Sequence, residues 1–329
     1  MTMVPTSAQS APVAARATRG GLSAARQFGT LIGLVVLSVV LWALTPHFLT
    51  VSNLLNVAEQ TSINAIVAVG MTFVILSGGI DLSVGSIVAL SGVMLGTAIQ
   101  GDGPILLGIP LALAVGTLCG VINGTLIVRG GLPPFIVTLG MMSIARGAAL
   151  VYTEGRPVSG FDEAFRAIAT ARLGFIPAPV IITATMYLAA HLVLTRTPFG
   201  RYVYAIGGNE EATRLSGVHV GFHKTWIYGV SGLMSAVAAI ILTARLNSAQ
   251  PIAGMMYELD AIAATVIGGT SLMGGQGTLV GTLIGALIMG VLRNGLNLLG
   301  VSSFLQQIVI GAVIIGAVLV DTLLKRHKA

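Results

Sequence analysis

The sequence predicts an all-α integral membrane protein with about ten transmembrane helices, and three observations point that way. Charged residues make up 9% of the 329-residue chain and apolar residues 55%, with a mean hydropathy of +0.94. Soluble domains carry about 25% charged residues, so this chain cannot cover a water-facing surface. Its apolar residues fall into ten runs, most near the length of about 20 residues that a bilayer crossing requires. Positive charge gathers in the segments on one side of those runs, as the positive-inside rule describes.

Residues 1–27 are rich in Ala, Ser, Thr and Pro, with Arg16, Arg19 and Arg26 and no acid. They read as a disordered cytoplasmic tail, although a transit peptide has the same composition. The transmembrane domain is expected over 28–324, with a basic cytoplasmic tail at 325–329. The first helix, 28–45, has no small-x-small cleavage site after it and is read as an uncleaved span. The second, 52–77, bears a stripe of amides. The third, 83–100, begins beyond the glycine break GGIDLSVGS, and the fourth, 104–128, carries Gly116, Gly120 and Gly124 at a spacing of four. The fifth, 134–152, starts at the Pro133-Pro134 turn.

An outer loop at 153–174 contains FDEAFRAIA, which suits a short surface helix, and the sixth span follows at 175–195. An inner loop, 196–223, precedes the seventh at 224–245. The eighth, 258–270, is short, opens on Glu258 and Asp260, and runs into the second break, GGTSLMGGQG. Those carboxylates favour the positive end of a helix. The ninth, 278–298, has Gly277, Gly281 and Gly285 at spacing four, and the tenth is 304–324. Small residues at that spacing let helices approach closely in lipid.

An even count places both termini on one side. With the N-terminus inside, cytoplasmic segments hold 11 of the 17 Lys and Arg residues. Arg146, Arg245 and Arg293 fall near outer helix ends, where long stems can snorkel. The net charge of +6 is dispersed among loops and termini, so no nucleic-acid-binding patch forms. The single Cys119 lies in an apolar run, which excludes an intrachain disulfide or a thiolate cluster.

No phosphate-binding GxxxxGK[ST] occurs, nor HExxH, CxxC or GxSxG. No enzymatic role, cofactor or metal is therefore expected. The five His residues are scattered, and His219 and His223, although four apart, have no carboxylate near them in sequence.

The inner loop TPFGRYVYAIGGNEEATRLSGVHVGFHK is the most informative segment. Asn209 suits an N-cap, and Glu210 and Glu211 suit a first helical turn. Gly217 suits the C′ position that ends the helix. A helix of one to two turns on the positive side is either an unpartnered surface element or a piece that docks into a groove on a cytosolic partner.

GRYVYAIGGNEEATRLSGVHV resembles the coupling-loop motif of binding-protein-dependent ABC importer permeases, in the monosaccharide (ribose-type) branch. LSGGIDLSVGS at 76–86, PPFIVTLGMM at 133–142 and YELDAIAATVIGGTSLMGGQGT at 257–278 resemble further motifs of that family, in family order. The resemblance covers the chain from about residue 30 to the end. It implies a permease homodimer in the bacterial inner membrane, a cytoplasmic ABC ATPase subunit, a periplasmic or extracellular sugar-binding protein, and a fold similar to the vitamin B12 importer permease. It also implies that Gly200, Ala205, Gly207, Gly208, Asn209, Ala212, Arg214 and Gly217 contact the ATPase, with Arg201 and Glu210 in the same surface.

In the second span Asn53, Asn56, Gln60 and Asn64 share one helical face. Polar groups in hydrocarbon turn toward the bundle interior or water. They serve either as interhelical hydrogen bonds or as the hydrophilic wall of a translocation route, and Thr138, Asn294 and Asn297 are weaker members of such a wall. Glu59 beside the stripe reaches the outer interface. Gly78 and Gly79, then Gly268 and Gly269, mark two inner-side breaks. Asp81 or Ser83 caps the next helix there, or acts at an inner gate. Permeases for branched-chain amino acids or nucleosides share the architecture, and an ion-coupled secondary transporter is the alternative from another class.

Overall fold

The computed structural model describes residues 15–101 and 103–326. Each of the ten predicted helical ranges contains a helix. In chain order these are α1 (Ala15–Leu44), α2 (Val51–Leu76), α3 (Val84–Ile99), α4 (Ile105–Arg129) and α5 (Pro134–Thr153). The excursion after α5 holds β1 (Val158–Ser159), α6 (Glu163–Thr170), β2 (Arg172–Leu173) and β3 (Ile176–Pro177). Then come α7 (Ala178–Arg196), α8 (Pro198–Gly208), α9 (Glu210–Leu215), α10 (Val220–Leu246), β4 (Ser248–Ala249), α11 (Tyr257–Ile267), α12 (Leu279–Leu298) and α13 (Ser303–Arg326). Six of them, α2, α4, α5, α7, α10 and α12, are long and apolar enough to cross a membrane. Phe28–Leu44, Val84–Ile99 and Ser303–Gly316 are shorter apolar helical stretches.

The helix α2 forms the spine. From Ala65 to Leu76 every residue is buried, packed by α10, α11, α12 and α7. The glycine seams have definite partners. On α4 a Cβ at Gly124 would lie 2.5 Å from the Thr225 Cα of α10, while Gly116 and Gly120 abut Gly232 and Tyr228. On α12, Gly281 and Gly285 press against Gly268 and Ala264 at the end of α11. Large apolar side chains on α1, α5 and α13, among them Trp42, Phe135 and Phe304, are exposed, which is expected where lipid is the solvent.

Four differences from the sequence expectation have physical causes. The first helix is already formed at Ala15, the first described residue, rather than at 28, because the Ala- and Arg-containing stretch ahead of the apolar run continues the helix; the rest of the tail expected at 1–27, and residues 327–329, lie outside the described residues. The helix from FDEAFRAIA is more than a surface feature. Phe165 of α6 is fully buried, edge-to-face with Phe161 at 5.4 Å, and packs with Leu95 and Ile99 of α3 and Ile240 of α10. The inner loop holds two helices, since Thr197 accepts from Gly200 N (3.3 Å) as an N-cap and Pro198 opens α8. A Thr-Pro pair is a readable helix start.

The fourth concerns the eighth span. α11 has 11 residues, about 16 Å at 1.5 Å per residue, too short for a hydrocarbon core of about 30 Å. The chain before it, 247–256, is non-helical, with β4 near its start. Ala249 packs on Gly96 near one end of α3 and Gly254 on Gly85 near the other. This segment therefore runs along about 16 Å of α3 without being helical. Backbone of that kind needs its carbonyls satisfied at depth. Arg146 of α5 does so: Nη1 donates to Pro251 O at 2.8 Å and to Ala253 O at 2.6 Å.

Candidate translocation and coupling site

The basic end of the bundle carries α8 and α9. Val203 and Ile206 of α8 are buried, and Phe199 stacks near Phe73 of α2 at 6.3 Å. His223 sits among Tyr202 (4.7 Å), Phe222 (5.5 Å) and Phe199 (5.7 Å), an aromatic packing site. In α9, Asn209 Oδ1 accepts from Ala212 N at 2.9 Å, and Gly217 takes φ +84° just past the C-cap Ser216. Arg214 pairs with Glu210 at 3.3 Å and Glu211 at 3.2 Å, and Lys224 of α10 with Glu210 at 2.9 Å. These ties hold a short helix that propensity alone could not.

The residues expected at this surface divide into two groups. Arg201, Ala205, Gly208, Asn209, Ala212, Arg214 and Gly217 are exposed, as is Leu215 at 80%, which sequence reasoning missed. Glu210 is half-buried by its ion pairs. Gly200 and Gly207 face inward. Gly200 packs on the Leu194 backbone, and Gly207 on Leu76 O, where a Cβ would also sit 2.6 Å from Gly275 N.

Gly207 thus joins α8 to both glycine breaks. Gly275 N donates to Leu76 O (2.9 Å), linking the end of α2 to the 268–277 segment. Tyr204 donates its hydroxyl to Gly277 O at 3.0 Å, and burial pushes its pKa up. Gly274, at φ +82°, comes so near that a Cβ there would be 2.9 Å from Gly207 Cα and 3.0 Å from Gly78 N. Gly78 (φ +80°) and Gly79 turn the chain after α2, with Gly79 against the Tyr228 ring. Gly268 and Gly269 (φ +89°) end α11.

Asp81 and Ser83 do not cap α3 in the expected way. Ser83 is the N-cap residue but makes no side-chain cap bond. Asp81 is instead the fully buried hub of a polar knot. Its Oδ1 accepts from Ser83 N (2.9 Å) and Ser83 Oγ (2.6 Å), and its Oδ2 from Ser231 Oγ of α10 (2.8 Å). Asn123 of α4 donates to Ser83 Oγ at 2.9 Å. The carboxylate therefore ties α10 to the start of α3 beside the first break, and Asn123 brings α4 in through Ser83. Thr138 of α5 is buried there too, 3.0 Å from Pro134 O and 3.4 Å from Ile80 O.

The amide stripe of α2 is divided by its neighbours. Asn53 and Asn294 of α12 exchange two 2.9 Å hydrogen bonds, and Asn53 also donates to Phe48 O. Asn64 Nδ2 donates to Asp260 Oδ2 at 3.2 Å. Between them Asn56 and Gln60 are exposed. Asn297 is exposed as well and accepts from Gln306 of α13 at 2.7 Å. Glu59 pairs with Arg172 of the excursion at 3.7 Å. Asp260 is not confined to a helix-end role, nor Arg293 to an interfacial anchor. Arg293 Nη2 donates to both carboxylate oxygens of Asp260, at 3.0 and 2.8 Å. Among the described residues no three His, Cys, Asp or Glu side chains come together as a metal site.

The family described as "branched-chain amino acid transport system / permease component" matches residues 53–318. The chain is 50% identical over 301 residues to the ribose import permease protein of Haemophilus influenzae, covering 90% of this chain and 93% of that one. To the ribose import permease protein of Escherichia coli K12 it is 52% identical over 296 residues, covering 89% and 92%. To the D-allose transport system permease protein of the same strain it is 39% identical over 302 residues, covering 91% and 93%. No solved structure matches the chain.

Proposed function

The chain belongs to the permease family of branched-chain amino acid transport systems, and on that premise we propose that it is the membrane-spanning subunit of an ATP-driven importer of a monosaccharide. The identity of 50–52% to ribose permeases over about nine-tenths of both chains carries the choice of sugar. In this reading ten helical segments cross the bacterial inner membrane, both termini are cytoplasmic, and the fold is of the vitamin B12 importer type. Two copies pair, a cytoplasmic ABC ATPase docks on α8 and α9, and a binding protein delivers sugar from the other side.

The basic end suits such a partner, since Ala212, Arg214 and Leu215 of α9 are exposed beside a cleft of about 230 Å³ between α4, α9 and α10. The contact of α8 with both breaks suggests how the partner acts. Closure of the ATPase shifts α8, and α8 bears on Leu76 and Gly275 through Gly207 and on Gly277 through Tyr204. The two breaks then form an inner gate, with the Asp81 knot as its fixed point. A partner drives the change only by binding the two states differently.

Gly208 tests the docking. A Cβ there meets nothing within 4 Å, so a side chain at 208 starts into open space. Both Gly208→Trp and Ala212→Trp are expected to leave the protein in the membrane and reduce ATP-driven uptake at least tenfold; normal uptake in both variants rejects the assignment.

The family description favours one second reading, a branched-chain amino acid importer. Stimulation of the purified complex's ATPase by leucine-loaded rather than pentose-loaded binding protein selects it. An ion-coupled transporter is separated by energy source, since its uptake survives ATP depletion and collapses with the proton gradient.

A further inference from the structure

We propose that Asn64, Arg293 and Gln60 form a hydroxyl-binding station halfway across the membrane, where a neutral polyhydroxylated solute is held during passage, with Asp260 as the residue that positions Arg293. The inference rests on the sugar-import reading and adds the place and chemistry of contact.

Depth is the first ground. Asn64 lies at the middle of the 26-residue α2, and an ionisable pair at that depth in a membrane marks a functional site by default. The second is the interrupted span. α11 begins at Tyr257 after the irregular 247–256 segment, and Asp260 lies in its first turn. In secondary transporters, helices broken near mid-membrane depth typically form the solute site, and the same geometry is available here.

The third ground is the state of the side chains. Asp260 is buried and its two oxygens are taken by Arg293 Nη2 and Asn64 Nδ2. Arg293 makes both of those bonds through Nη2, yet its side chain remains 37% exposed. Its guanidinium has five N–H donors in a planar fork, so donors remain to face outward. Asn64 Oδ1 is buried without a hydrogen-bond partner, an acceptor left waiting in an interior where such groups are normally satisfied. Gln60, one turn along α2 from Asn64, is exposed, and Asn56 is exposed one turn further. These amides make a ladder at i, i+4 and i+8 leading from the outer end of α2 to the ion pair.

The set selects a class of ligand. The Asp260–Arg293 pair carries no net charge, so it offers no full counter-charge to an ionic solute. Free guanidinium donors beside an unfilled amide acceptor match adjacent hydroxyls, each of which accepts from one group and donates to another.

The test uses the reconstituted permease with its ATPase and binding protein in proteoliposomes. ATP-driven uptake of ribose and 2-deoxyribose is measured at saturating loaded binding protein, in parallel with stimulated ATPase activity. Gln60→Ala removes an exposed side chain, and Arg293→Lys keeps the charge that Asp260 requires. Each is expected to lower ribose uptake about tenfold, the scale of a lost hydrogen bond to a charged or desolvated group, to shrink the preference for ribose, and to leave ATPase stimulation within about twofold. Unchanged uptake and preference in both variants, against an active wild type, overturns the station. Parallel loss of uptake and ATPase stimulation in both also overturns it, because the residues would then serve folding or coupling. A wild-type complex that imports no monosaccharide rejects the functional reading instead.

Discussion

Gly207 and Gly208 are neighbours in sequence and opposites in surroundings. A methyl on Gly207 collides with the Leu76 carbonyl and the Gly275 amide, whereas one on Gly208 meets open space. Gly207→Ala is thus expected to destabilise the detergent-solubilised protein by about 1–3 kcal/mol, the usual cost of overpacking, while Gly208→Ala changes its melting temperature little. Among the amides the decisive feature is reciprocity. Asn53 and Asn294 satisfy each other in a buried position, so Asn53→Leu strands its partner. A loss of about 1–2 kcal/mol is expected, largely recovered in the Asn53→Leu/Asn294→Leu double variant; a double variant as unstable as the single one contradicts the pairing.

Among the elements, the short helix α11 and the irregular chain before it depend on Arg146. Its guanidinium meets the carbonyls of Pro251 and Ala253 from α5. Arg146→Leu leaves both carbonyls without that donor and removes two charge-assisted bonds, each worth about 1.5–3 kcal/mol. Faster hydrogen exchange at 250–258, with α4 and α10 unchanged, is the expected signature. Sequence periodicity places an eighth helix at 258–270 but carries no sign that the preceding non-helical residues pack along α3, because such backbone has no period to detect. The sequence places Arg146 near an outer helix end and shows nothing of its partners, which are carbonyls more than a hundred residues away. The cap and stop of α9 were readable, because Asn209 and Gly217 act on residues within one or two turns.

For the whole molecule, a single cysteine makes orientation in the membrane measurable. Cys119 is buried on α4, so a thiol introduced elsewhere is the accessible one. Ser216, after α9, and Thr170, on α6, are both exposed and lie in the segments predicted to face opposite sides. Ser216→Cys is expected to react with a membrane-impermeant maleimide only in inside-out vesicles, and Thr170→Cys only in intact spheroplasts. The reverse pattern rejects cytoplasmic docking on α9.

Taken by itself, the sequence determined the helical class, the places of ten helices, the two glycine breaks and the capped helix on the basic side. Each of these follows from length, composition or contacts a few residues apart. Only the tertiary structure decided what the amide stripe does. One helical face suggested one shared environment, yet that face meets α12 at Asn53, opens at Asn56 and Gln60, and meets α11 at Asn64. It also decided that Asp81 ties α10 to the start of α3 and that Arg293 belongs to Asp260, 33 residues away. A helix's own period says which side chains share a face. What that face meets at each depth depends on where the neighbouring helices begin, end and break.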